Sequence, residues 1–107
     1  MRIEVENREY ELIKDYKDAF DKETFINSYT DYYYDYDYIV GDIAYSHLRL
    51  KGFYDEKNKK VKKINNFKNL DNYLKQNCAV DCKYFVLKKI SDNNNQKNVK
   101  KWKVILL

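Results

Sequence analysis

Long hydrophobic runs are missing from this 107-residue chain, and so is proline. No apolar stretch approaches the roughly 18 residues that a bilayer-spanning helix needs, which excludes a transmembrane helix. Glycine is nearly as scarce. Gly41 and Gly52 are the two in the chain, so the sequence has no glycine-rich loop to cradle a phosphate. With one histidine, His47, and two cysteines, Cys78 and Cys82, the chain is short of the four ligands of a structural zinc site. Met1 to Glu6 lacks the apolar segment of a secretory signal. That pattern predicts a cytoplasmic protein whose cysteines are reduced thiols.

Hydrophobic residues at 44% are enough to close a core, and the length predicts one domain, over residues 1–90. Residues 91–107 read as a polar, Asn-rich link followed by a tail that mixes cations with apolar side chains. Eighteen Lys against three Arg, with twelve Asn and twelve Tyr, reflect codons rich in A and T, so the placement of these residues counts for more than their number. Charge is unevenly placed. Residues 1–42 carry five Lys or Arg and twelve Asp or Glu, whereas residues 43–107 carry sixteen and five. Such a split points to an interaction surface, often for nucleic acid, unless the two halves pack together and neutralise each other.

Ile3 and Val5 alternate with polar neighbours, and Tyr10, Leu12 and Tyr16 resume the pattern beyond Asn7-Arg8, which predicts a hairpin. Asp21 is an N-cap for an amphipathic helix over 22–35, with Phe25, Tyr29 and the following tyrosines at helical spacing. Tyr38 to Asp42 and His47 to Tyr54 read as strands joined by a short connection over 43–46. Both glycines fall in or beside these strands, where glycine permits a bulge, a turn or a close approach. A Lys-rich loop, 55–63, precedes a second helix over 68–77, capped by Asn66 or Asn69. Cys82 to Ile90 is a strand apolar on both faces, which belongs in the middle of a sheet. The order predicts an α+β fold: a mainly antiparallel sheet of about five strands, β-β-α-β-β-α-β, with two helices packed on one side. The tail offers a further strand.

The basic face of the strand 47–53 is the leading candidate site. Arg49 and Lys51, with His47, share one side, and Leu48 and Leu50 the other. Beside Tyr45 and Phe53 as stacking rings, and Lys57, Lys59, Lys60, Lys62 and Lys63 in the adjacent loop, these cations would hold RNA phosphates. The competing reading is a solvated face with cross-strand ion pairs, Arg49 with Asp37 or Asp42. Asp42 and His47 form a second possible cluster, but an acid beside two cations has a lowered pKa and is a poor base. Cys78 and Cys82 lack the spacing of a redox motif; they read as buried free cysteines ahead of metal ligands. No motif calls for a cofactor.

Several segments carry a resemblance. Tyr36-Asp37-Tyr38-Ile39-Val40-Gly41-Asp42 followed by Leu48-Arg49-Leu50-Lys51-Gly52-Phe53-Tyr54 resembles the YutD-like family of small bacterial proteins. Leu70, Tyr73, Leu74, Cys78 and Cys82-Lys83-Tyr84-Phe85-Val86-Leu87 are similar to its second helix and last strand, and Tyr10-Glu11-Leu12-Ile13 and Phe25 also fit. The likeness spans residues 9–90. It departs at Ile43-Ala44 and His47, and the tail after Ser91 has no counterpart in it. What the resemblance implies is a cytosolic α+β domain, with no reaction attached.

Together these readings favour a non-enzymatic module that contacts RNA or a nucleoprotein. One alternative is a protein–protein adaptor that docks through the acidic, Tyr-rich first half, around Asp31, Asp35 and Asp37. The other is a small enzyme centred on Asp42, Arg49, Cys78 and Cys82.

Overall fold

The computed structural model describes residues 1–77 and 82–90. Five strands, β1 (Arg2–Val5), β2 (Arg8–Tyr16), β3 (Tyr38–Ala44), β4 (His47–Phe53) and β5 (Tyr84–Lys89), form one sheet in the spatial order β1-β2-β5-β3-β4. Each neighbouring pair is antiparallel. With helices α1 (Lys22–Ser28) and α2 (Leu70–Asn77), this is the α+β architecture the sequence predicts. β5 is central because Phe85, Val86 and Leu87 are all buried, and a run apolar on both faces needs cover on both.

That requirement corrects one expectation: the helices do not share a side. Side chains alternate along a strand, so Ile39, Phe85 and Leu87 join Tyr10 and the α1 residue Phe25 in one cluster. Val40, Val86 and Phe53 join a second cluster, packed by Phe67 and by Leu70 and Tyr73 of α2. Each fully buried ring or aliphatic side chain contributes roughly 1.5–3 kcal/mol.

The predicted helix 22–35 divides in two. Asp21 caps α1 by accepting from the Thr24 N–H at 3.0 Å, as expected. At Tyr29 the backbone turns extended, and the ring enters the core with its hydroxyl 2.8 Å from that of Tyr10. Thr30 then accepts from the Tyr32 N–H at 3.3 Å and starts a 3-10 turn over Asp31–Asp35. A Thr hydroxyl that bonds the backbone, followed by three aromatic residues, favours a new cap over continuation. The second helix behaves as read. Asn66 caps a short 3-10 turn, Phe67–Asn69, that leads into α2.

Turns and glycines exchange their usual duties. Glu6-Asn7 and Tyr45-Ser46 take left-handed φ values of 50° and 67°, and of 53° and 67°. The first hairpin therefore turns at 6–7, one residue earlier than the sequence suggests, which leaves Arg8 inside β2. Neither glycine has positive φ. Both provide room for a ring: a Cβ on Gly41 would overlap Phe85, and one on Gly52 would overlap Tyr36. The predicted strand and link beyond residue 90, and Cys78, lie outside the described residues.

Candidate functional site at the edge of β4

The β3–β4 hairpin fixes the site. Its register runs from Ala44 opposite His47 to Tyr38 opposite Phe53. The pair that flanks a two-residue turn exchanges both backbone hydrogen bonds, and such pairs recur at every second residue. Hence Leu48, Leu50 and Gly52 direct their N–H and C=O groups away from β3. β4 is the last strand in the order, so the groups of the half-buried Leu48 and Leu50 face an open edge, while Gly52 is buried beneath Tyr36. Tyr54 continues the pattern: its N–H donates to the Asn65 carbonyl at 2.7 Å, and its carbonyl accepts from the Phe67 N–H at 2.9 Å. Among the described residues no such partner reaches Leu48 or Leu50.

The α2 side of this edge holds the charged residues singled out by the sequence. Arg49 donates from Nε to Asp42 Oδ1 at 2.7 Å and from a terminal nitrogen to the Asn77 carbonyl at 2.7 Å. Asp42 is 1% exposed. Its carboxylate raises the guanidinium pKa of Arg49 through that hydrogen bond and its charge. The Tyr73 hydroxyl is raised as well, first by burial and then by the charge of Asp42. The cross-strand ion pair anticipated as the competing reading is therefore present. It leaves Asp42 sealed under Arg49 rather than open to a substrate, and Arg49 committed on two sides.

Lys51 is differently placed. Its ammonium lies 5.4 Å from the centre of the Phe53 ring and 5.7 Å from that of Tyr73, a cation–π contact that holds it beside the edge. Phe53 itself is 1% exposed and packs edge-on against Phe67 and Tyr73. It cannot stack on a base, which corrects that assignment. Tyr45, at the hairpin tip, is 96% exposed. The seven residues of β4 stand between it and the Lys loop, about 23 Å at the rise of a strand, so the two are not one surface.

Much of the charge asymmetry folds back on itself. Lys60 donates to both oxygens of Asp35, at 2.8 and 2.9 Å, and the Tyr54 hydroxyl donates to the same group at 2.6 Å. Those bonds, that from Lys60 first, hold the Asp35 carboxyl below its ordinary value. Asp37 accepts from the Asp55 N–H at 2.8 Å and from Asn58 Nδ2 at 3.0 Å, and Asp31 pairs with Arg8 at 2.8 Å. The acidic residues read as a docking face are thus engaged within the fold. Lys57, Lys59, Lys62 and Lys63 make no ion pair among the described residues. His47 is exposed at the start of β4. Cys82 is disulfide-bonded, which corrects its reading as a free thiol.

Two grooves meet at Lys51 and Tyr73. One, of about 380 Å³, crosses the open edge between Tyr32 and Tyr36 on the α1 side and Tyr73 on the other. The second, of about 600 Å³, runs along α2 past Lys63, Asn69 and Asn77. Sequence reasoning missed Tyr36 and Tyr73 as parts of this surface because helical spacing makes an aromatic residue look like core. The Tyr36 signal was Gly52, whose missing side chain makes its seat. No helix among the described residues is long and apolar enough to cross a membrane.

Comparison with known proteins agrees with this architecture. Residues 4–88 match the family described as "Putative antitoxin YutD-like". The chain is 46% identical over 88 residues to "Putative antitoxin YutD" of Bacillus subtilis (strain 168), across 82% of this chain and 97% of that protein. It is also similar to the solution NMR structure of protein yutD from B. subtilis, with a TM-score of 0.71 and 44% identity over 84% of this chain and 82% of that one. By its residues, its fold and these matches, the chain belongs to the YutD-like family.

Proposed function

We propose that this chain is a non-enzymatic protein-binding module, whose contact surface is the open edge of β4 with the grooves beside it. The observation that carries this reading is the row of outward N–H and C=O groups at Leu48 and Leu50, set between Tyr36 and the Lys51–Tyr73 pair. An open sheet edge is a template for pairing with another chain, and cations such as Lys51 restrict which chain can pair. The B. subtilis relative is described as a putative antitoxin, a name that suits a chain that works by engaging a counterpart. Asp42 favours binding over catalysis, since its carboxylate is buried beneath Arg49.

The test is capture from nuclease-treated lysate by the immobilised full chain. The reading predicts one protein retained in stoichiometric amount. No retained protein, or retention that nuclease abolishes, would overturn it.

A second reading rests on Lys57, Lys59, Lys62 and Lys63, four cations without carboxylate partners among the described residues. RNA would bind there through phosphates, without Phe53. Fluorescence anisotropy tests it: affinity should fall steeply between about 50 and 200 mM salt. It should also fall when all four lysines become alanine, and unchanged affinity in that variant would reject the reading.

A further inference from the structure

We infer that the edge of β4 takes an extended, acidic segment of the partner protein as an added strand, with carboxylates toward Lys51 and Lys63 and apolar side chains beside Leu50 and Gly52. This inference rests on the protein-binding reading and specifies its docking mode.

Length comes first. The pairing track is closed at one end, where Asn65 and Phe67 already bond Tyr54, and at the other by the Tyr45-Ser46 turn. Gly52 is buried beneath Tyr36, so what remains is Leu48 to Lys51, room for a segment of about four residues.

Chemistry decides the occupant. An alternating row of donors and acceptors matches a peptide backbone, whereas phosphates would meet the carbonyls unfavourably. A second copy of this chain fits poorly. Antiparallel pairing centred on Leu50 would set Lys51 opposite Arg49 of the other copy, which Asp42 already pairs, so Lys51 of neither copy would meet an open carboxylate. Lys51 and Lys63 favour carboxylates. Arg49 is neutralised by Asp42, while among the described residues no carboxylate pairs with Lys51 or Lys63. On the α1 side, the seat of Tyr36 over Gly52 and the half-buried Leu50 offer an apolar wall instead.

The experiment is an NMR titration of the isotope-labelled full chain with the probe peptide Ac-Thr-Glu-Val-Glu-Val-Thr-amide. Its controls are the peptide with Lys in place of both Glu and the peptide N-methylated at alternate residues. The inference predicts shifts centred on β4, slowed amide exchange at Leu48 and Leu50, and about tenfold weaker binding of the Lys peptide. N-methylation should abolish binding, and Lys51→Glu should invert the charge preference. Equal binding of the Glu and Lys peptides, shifts confined to the 57–63 loop, or no shifts at millimolar peptide would overturn it. The underlying reading fails separately. A captured partner whose affinity is indifferent to Lys51→Glu leaves protein binding standing and removes edge docking, whereas no captured partner removes protein binding itself.

Discussion

The Arg49 guanidinium meets the Asp42 carboxylate at 2.7 Å, and the carboxylate it meets is 1% exposed. Asp42 is buried, but the Arg49 side chain is 45% exposed, so water can replace part of what the guanidinium supplies. Arg49→Ala should therefore cost about 1–2 kcal/mol, and Asp42→Asn added to it should restore part of the loss. Urea unfolding of the two variants checks this. A change in Arg49→Ala within about 0.5 kcal/mol would contradict it, because surface substitutions fall in that range. Binding lost in Arg49→Ala would then report the state of the fold before it reported a contact.

The two glycines should respond unequally to alanine. At Gly41 the new methyl meets Phe85, which is fully buried and has nowhere to move, so Gly41→Ala should cost about 2 kcal/mol or more. At Gly52 it meets Tyr36, which is half-buried and can swing outward, so the cost should be smaller. Thermal unfolding ranks the pair, and the reverse order would contradict the account.

Tyr10 and Tyr29 share a buried hydroxyl contact of 2.8 Å. Tyr29→Phe leaves the Tyr10 hydroxyl without its partner, at about 1–2 kcal/mol, whereas Tyr10→Phe leaves Tyr29 its contact with Arg8 and should cost less. The double variant removes both hydroxyls and should cost less than the sum, a coupling that a double-mutant cycle measures directly. Strict additivity would show that the contact does not stabilise the fold.

Asp35 gives the fold an acid-sensitive link. Hydrogen bonds from Lys60 and Tyr54 hold its carboxyl below the ordinary value. A depressed folded value means that the stabilisation is present above the unfolded pKa, near 3.9, and is lost as pH falls through the folded value. Asp35→Asn should thus lower Tm at pH 7, and its difference from the unaltered chain should shrink toward pH 3. The group is half exposed, so the effect is small. A gap that widens at low pH would contradict the assignment.

How much of this was legible in the sequence follows from the range of each interaction. The central place of β5 was readable because Phe85, Val86 and Leu87 are apolar on both faces. The Asp21 cap was readable, and Asn66 was one of two candidates with Asn69, because a cap acts within three residues. The break at Tyr29 was not, since helical spacing continues past it and hides both the Thr30 cap and the hydroxyl contact that draws Tyr29 to Tyr10 of β2. The face shared by Arg49 and Lys51 followed from alternation. Their fates differ because Asp42 lies opposite Arg49 across the ladder, while Lys51 faces Val40. Charge counts by segment could not show that Lys60 closes on Asp35, twenty-five residues away. The glycines were flagged for the right strands, with the ring contacts visible only in three dimensions.

The open edge of β4 is the claim on which the functional account stands, and backbone amide exchange in the free chain tests it most directly. The account predicts fast exchange at Leu48 and Leu50, whose N–H groups face outward, alternating with slow exchange at Arg49 and Lys51, which bond to β3. Equal protection at all four positions would show that the edge is already covered, and would contradict it.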